Sequence, residues 1–416
     1  MSEHTECILP YVHLYAQADG EMKPCCIADG FDEPLNLKTM SIDDAFNSSQ
    51  MKQLRKDMEE GKRNSVCDVC YKREDKTGHS PRVDSFNKHT EWTKPKVKED
   101  FSVPSDFQHI DIRFSNLCNF KCRMCNHLFS SNWYEDSTKL WGPGGKTTKV
   151  IKTTDNIVEQ LIPHLSKVRS FYFAGGEPLI MPEHFKVLNY LHETLPVIKC
   201  FTTDTRYRKI RDLTIHYNTN LSVLKFEEKS LIDIWKGFRQ IFLSISCDGI
   251  GEVGEYQRTG FLTEKFQKNL EIIKKYFKPQ NVEKHTTGGM LYNFQYTTTI
   301  MNVYHIFDFI EYMFKNNNIT DTSQIDFYYA WSPNEYALNN LSKDEKKKVI
   351  DFLNENVTKY SEKTKQEIQS MIDFIDYDEN STHDQNDVIS KHIKSIESLH
   401  GGDFSKISPI KFGNPK

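Results

Sequence analysis

The 416-residue chain holds ten cysteines, 38% apolar and 12% aromatic residues, and a formal net charge of −4. That composition excludes a disordered chain and suffices for a full α/β domain with smaller appendages; the near-balanced charge leaves no overall basic footprint for nucleic acid, local runs such as Arg206 to Arg211 aside. The polar start and the lack of about 18 consecutive apolar residues read as neither a secretory leader nor a membrane span. A cytoplasmic setting is expected, in which cysteines point to metal or redox use before disulfides.

The first cysteine set precedes every core strand. The turn signal Gly20 to Cys25 predicts a hairpin whose two arms carry Cys7 and Cys25. Ser41 with Asp44 then opens a helix through Ala45, Phe46, Met51, Leu54 and Met58, ending near Gly61. Cys67 and Cys70 follow at the two-residue spacing that clamps a metal. Cys7, Cys25, Cys67 and Cys70 make four ligands, which fit structural zinc as well as an iron–sulfur cluster. Cys26, beside a ligand on a strand, is expected to point away from it as a packed or free thiol. From Thr77 to Pro104 the chain is polar and charged without a period, and reads as a linker.

His109 to Phe114 alternates apolar and polar side chains, which predicts a strand delivering the loop Ser115 to Cys125 at its end. Cys118, Cys122 and Cys125 crowd into eight residues of that loop and read as one metal centre. Zinc requires a fourth ligand there, such as His127. Three thiolates on a four-iron cluster instead leave one iron open to a second molecule.

A helical face spans Asp155 to Leu165, and the strand Val168 to Phe173 ends in Gly175, Gly176, Glu177 and Pro178. Paired glycines let a backbone approach a ligand closely, and the carboxylate beside them can receive a cationic amine. Alone this is a strand-ending turn; here it stands about 50 residues beyond a three-cysteine loop.

A helix from Pro182 to Thr194 precedes an insertion around Cys200 to Lys209. Strands are expected at Leu213 to Tyr217, ending in Asn218, Thr219 and Asn220, and at Ile241 to Ser246, ending in Cys247, Asp248 and Gly249. Cys247 should pack under the sheet. After Tyr256 to Gly260, which holds Arg258, come a helix at Leu262 to Phe277, a strand at Tyr292 to Ile300, a helix at Val303 to Phe314 and a last strand at Ile325 to Trp331. Six strands alternating with helices imply parallel pairing and right-handed crossovers. The expected fold is α/β, an open six-stranded (βα)6 partial barrel. Beyond Ser342 the chain reads as helices that pack and cap, without a motif that carries chemistry.

The spacing Cys-x3-Cys-x2-Cys and the Gly-Gly-Glu-Pro turn resemble those of the radical S-adenosylmethionine (radical SAM) superfamily, with Met124 where an aromatic residue is usual. The earlier cysteine set resembles the Twitch form of the SPASM domain, which usually follows the core and here precedes it. The resemblance implies a Twitch/SPASM-like module at residues 1–76, a linker at 77–104, a radical SAM core at 105–335 and a helical extension at 336–416. It also implies one [4Fe-4S] cluster on Cys118, Cys122 and Cys125, an auxiliary one on Cys7, Cys25, Cys67 and Cys70, and S-adenosylmethionine held by Gly175, Gly176, Glu177 and Pro178. Asn220, Ser246, Asp248 and Arg258 would touch that cofactor, Ser246 and Arg258 at its carboxylate.

The implied activity is reductive cleavage of S-adenosylmethionine to a 5′-deoxyadenosyl radical that abstracts hydrogen from a substrate, with the electron supplied by a reductant such as flavodoxin or ferredoxin. Three functions fit: oxidative modification of a peptide or protein side chain with the auxiliary cluster as electron acceptor, a small-molecule dehydrogenase or cyclase, or a non-catalytic zinc-binding scaffold. No nucleic-acid or membrane partner is indicated. Tyr328, Tyr329 and Trp331 are core aromatics or pocket lining; no residue stands out as acid, base or radical relay.

Overall fold

The computed structural model describes residues 5–88, 92–142, 148–201, 207–280, 289–376 and 385–412. Positions 202–206, within the expected insertion and at the start of its basic run, lie outside them, as does the polar start before Thr5. The chain divides into two compact units. The first comprises Met1–Leu117, Val150–Tyr217 and Asp233–Ile241; the second comprises Cys118–Lys149, Asn218–Ile232 and Phe242–Lys416. This division cuts across the linear one expected from the sequence.

The first unit is built on parallel strands His13–Ala16, His109–Ile112, Ser170–Phe173 and Tyr207–Thr219. Their register places Tyr15 opposite Asp111, Asp111 opposite Tyr172, and Tyr172 opposite His216. Because side chains alternate along a strand, the neighbouring row is Leu14, Ile110, Phe171 and Ile215, and all four are fully buried. The early cysteine module thus adds its own strand, His13–Ala16, to the parallel set. Sequence periodicity gave no sign of that pairing.

Three local expectations change. Cys7 lies ahead of a short helix, Leu9–Val12, and not on a hairpin arm, because Pro10 favours a helical first turn before the strand begins. The helix expected after Ser41 is two helices, Ile42–Phe46 and Ser49–Glu59. Ser48 caps the second by accepting from Met51 N at 3.3 Å. The stretch expected to be a linker contains the helix Pro81–Lys88, fixed by a buried ion pair between Arg82 and Glu74 and by Arg82 Nη1 donating to Glu6 O at 2.7 Å.

The helix Pro182–Thr194 brings His184 beneath the sheet, where its Nε2 lies 2.8 Å from Tyr217 Oη, which also accepts from Trp235 Nε1 at 3.1 Å. Complete burial pushes the imidazole down to about 3. Its unfolded value is near 6.5, so the native state binds fewer protons below that pH, and stability present above pH 6.5 is lost as the pH falls toward 3. The loss reaches up to about 5 kcal/mol. Acid unfolding followed by circular dichroism should therefore show a slope over this window that His184→Gln flattens; an unchanged slope would assign the acid sensitivity to other groups.

The second unit centres on the strand Gly289–Thr298, paired in parallel with Ile325–Tyr329 and, near its start, with Lys278–Pro279. Thr263–Lys274 and Ile306–Lys315 bury Phe266, Leu270, Ile273, Phe309, Ile310 and Met313, the stripes that the 3.6-residue period predicts. Helices Lys343–Val357, Glu362–Asp376 and Asn386–His400 follow. The middle one covers the last strand: Tyr329 stacks on Phe374 at 4.4 Å, and Glu367 accepts from Phe327 N. Tyr329 is therefore a packing residue, while Tyr328 and Trp331 are exposed. The chain is α/β with mostly parallel pairing and helices between strands, and its strands form an open set.

Candidate cluster and cofactor sites

The strand His109–Ile112 ends one turn before the three-cysteine loop, which lies in the second unit. Cys118, Cys122 and Cys125 are partly buried. Burial raises the Cys122 thiol, opposed by the Arg258 charge. It raises Cys125 further, with Cys122 and Cys118 adding to the effect, so the three sulfurs feel one another. Among the described residues no three His, Cys, Asp or Glu side chains converge tightly enough for one metal ion.

Every residue around Cys122 is held. Lys121–Cys122 forms a short antiparallel ladder with Arg258–Thr259, Cys122 opposite Arg258. Trp133 Nε1 donates to Cys122 O at 2.8 Å, and Cys118 N to Ser131 Oγ at 3.3 Å. Asn119 Nδ2 donates to Ser222 Oγ at 2.7 Å, and its Oδ1 accepts from Asn220 Nδ2 at 3.0 Å. Asn220 Oδ1 meanwhile closes its own turn on Ser222 N. Asn220 thus sits beside the cysteine loop, as a structural bond to it.

Arg258 turns its Nε and Nη2 toward Asp248 Oδ2, at 2.8 and 2.5 Å, and both residues are buried. Thr297 N donates to the other oxygen of Asp248 at 2.9 Å. The two-pronged edge of the guanidinium expected to grip a carboxylate of the cofactor is thus occupied by a carboxylate of the protein. Ser246 is half-buried at the end of its strand, and Cys247 is buried as expected, its thiol pushed up to about 12 by burial.

In the first unit the Gly-Gly-Glu-Pro turn follows Phe173 directly. Gly175 and Gly176 have φ of +78° and +47°. A Cβ on Gly176 would lie 2.2 Å from Leu117 O, and one on Gly175 2.6 Å from Arg113 Cγ. Glycine is required here for close approach to the chain's own backbone just before Cys118. Glu177 N donates to Leu117 O at 2.8 Å, and its buried carboxylate accepts from Leu179 N at 3.1 Å.

Cys7, Cys25, Cys67 and Cys70 all line one apolar cavity, together with Pro24 and Arg82. Cys67 closes a short 3-10 turn and Cys70 lies in the helix Asp68–Thr77, which explains how a two-residue spacing brings both thiols to the same cavity. Burial pushes Cys7 up to about 11 and Cys25 up to about 12, and raises Cys67 as well, with Cys7, Cys25 and Cys70 adding to it. Dry, mutually repelling thiols are stable as thiolates only against a positive centre, so this donor set fits a cluster or metal. Cys26 is exposed and is not among the residues lining that cavity.

Sequence reasoning missed the contribution of the end of the helix Asn386–His400: His400 and the following Gly401 contact the cysteine loop through Asp136 and Arg123. No local motif marks them, since their partners lie more than 250 residues away. Among the described residues no helix is long and apolar enough to cross a membrane.

The radical SAM superfamily matches residues 112–299, and the SPASM iron–sulfur cluster-binding domain matches residues 7–71. No curated protein matches. Among solved structures, native anSMEcpe with bound AdoMet is 17% identical at a TM-score of 0.37, covering 60% of this chain and 61% of that one. Streptococcus suis SuiB bound to S-adenosylmethionine is 13% identical at 0.34, covering 74% and 62%. TYW1 with a lysine-pyruvate adduct bound is 13% identical at 0.29, covering 67% and 90%. The chain spans about three-fifths of the length of the first of these. The matched domains bind a [4Fe-4S] cluster with S-adenosylmethionine and auxiliary iron–sulfur clusters, respectively, and both cysteine sets suit those groups. The chain thus carries a radical SAM domain at residues 112–299, with a SPASM domain ahead of it at residues 7–71.

Proposed function

We propose that this enzyme oxidises a side chain of a peptide or protein. The observation that carries the reading is the pair of unlike cysteine sets: three thiols on a loop, which leave a cluster iron open, and four thiols around a separate apolar cavity, which would close one. The open set would supply one-electron cleavage of S-adenosylmethionine, giving a 5′-deoxyadenosyl radical. A second, fully ligated cluster suits removal of an electron from the substrate, hence net oxidation.

The chain's own residues have these roles. Cys118, Cys122 and Cys125 hold the first cluster, and Cys7, Cys25, Cys67 and Cys70 the auxiliary one, within a module at residues 1–76. Gly175 to Pro178 present backbone and the Glu177 carboxylate to the amine of the cofactor, in a core at residues 105–335. Ser246 and Asn220 stand at strand ends suited to its methionine moiety. Asp248 and Arg258, already paired, orient the Cys122 ladder. An open set of strands admits a bulky substrate laterally, which favours a peptide. Flavodoxin or ferredoxin is the expected electron donor.

The test is anaerobic reconstitution with iron and sulfide, then dithionite and S-adenosylmethionine with candidate substrates, scoring 5′-deoxyadenosine and substrate mass. About eight iron and eight sulfide per chain, with a two-hydrogen mass loss on a peptide, support the reading. The same loss on small metabolites alone would favour a dehydrogenase or cyclase, and zinc without iron would return the scaffold.

A further inference from the structure

We infer that the end of the helix Asn386–His400 and the turn after it, Glu397 to Gly402, form a strap that positions the three-cysteine loop, with Arg123 and His400 as its positioning residues. The inference rests on the assignment of Cys118, Cys122 and Cys125 as cluster ligands. All its contacts lie within the second unit.

Three consecutive loop residues are tied to this segment, each by its own route. Lys121 Nζ pairs with Asp136 Oδ2 at 2.5 Å, and the same oxygen lies 3.2 Å from His400 Nε2. Cys122 O accepts from Trp133 Nε1, and the Trp133 ring packs on the His400 imidazole at 4.7 Å between centroids. Arg123 Nε donates to Tyr256 O at 2.6 Å, its Nη2 donates to Gly401 O, and its guanidinium lies 3.7 Å above the Tyr256 ring. Arg123 N also donates to Gln257 O at 2.7 Å.

The strap is shaped for this. The helix stops at His400 because Gly401 takes φ of +71°, and Gly402 follows at +94°. A Cβ on Gly402 would lie 2.7 Å from Tyr256 Cδ2, so the tail closes over that ring because the position is glycine. Glu397 Oε1 accepts from both Tyr256 Oη, at 2.9 Å, and Phe404 N, at 2.6 Å, which ties the ring to the turn beyond it. His400 Nδ1 lies 3.4 Å from Thr259 Oγ1, on the strand paired with Lys121–Cys122. Nε2 of His400 thus donates to the Asp136 carboxylate, and its Nδ1 faces the Thr259 hydroxyl. Arg123 cannot be replaced by lysine without losing two of its directed bonds, since an ammonium lacks the fork.

The test compares wild type, His400→Ala, His400→Gln and Arg123→Lys, each reconstituted with iron and sulfide. The readouts are the rate of iron loss to a chelator, resolved into core and auxiliary phases, and the electron paramagnetic resonance signal of the reduced protein with and without S-adenosylmethionine. His400→Ala and Arg123→Lys should lose core iron about tenfold faster and broaden the response to S-adenosylmethionine, with the auxiliary phase unchanged. His400→Gln, whose amide can donate to Asp136, should recover most of the wild-type behaviour. The auxiliary phase reports folding, so a variant losing both phases equally would mark a general defect and overturn the positioning role. Core phases and spectra identical to wild type would also overturn it. Wild type lacking any core phase would instead refute the cysteine assignment on which the strap depends.

Discussion

Replacing Cys118, Cys122 and Cys125 together with alanine should abolish cleavage of S-adenosylmethionine, leaving 5′-deoxyadenosine at the background of a reaction without enzyme. The cluster that these three thiols would hold would supply the electron that breaks the sulfonium, so that chemistry should be lost with them. Loss should be complete, because the three thiols act as one site: any two leave the iron core with two uncovered metals open to solvent and oxidation. The measurement is chromatography of the dithionite-driven reaction on protein matched for folding by circular dichroism. A triple variant that retained full cleavage would remove the central assignment and, with it, the role given to the Gly175 to Pro178 turn.

Changing Cys67 and Cys70 to alanine should have the second largest effect, of a different kind. About half of the iron should be lost, since one of two four-iron clusters goes. Slow cleavage of S-adenosylmethionine should persist, now uncoupled from substrate oxidation, because the three-cysteine loop is untouched. Iron content and the ratio of 5′-deoxyadenosine to oxidised product separate these effects. Loss of cleavage together with the iron would show that the auxiliary set supports the first cluster instead of the substrate step. Both residues lie in the unit that also holds the strands His109–Ile112 and Ser170–Phe173, so the variant's unfolding midpoint should be followed alongside.

Much of the site was legible in the sequence because its chemistry demands close spacing. A loop with three thiols in eight residues, or two glycines before a glutamate, declares itself without tertiary information. The helices Thr263–Lys274, Glu362–Asp376 and Asn386–His400 were legible for a similar reason, their apolar periods running over three turns or more. The helix Pro81–Lys88 was not, since it is short and its stability comes from the buried Arg82 to Glu74 pair, a contact that no local pattern announces.

The same contrast explains the polar residues at the strand ends. Asp248 and Arg258 were recognisable as candidates, but a sequence gives no sign of whether a buried charge meets a ligand or a neighbour; the fold pairs them with each other. It also changes the reason for Gly176, whose backbone lies so close to the carbonyl of Leu117 that a Cβ would not fit.

The sequence by itself determined the cysteine sets, the Gly-Gly-Glu-Pro turn and the alternation of six core strands with helices, and thereby the resemblance to the radical SAM superfamily, because each is a local spacing or a backbone period. The tertiary structure alone decided that the cysteine module lends a strand to the parallel set, that Arg258 is held by Asp248, and that His400 and Gly401 reach the loop of Cys122. Those are contacts between residues far apart in sequence, selected by packing and by the need to satisfy buried polar groups, and no single stretch of chain encodes them.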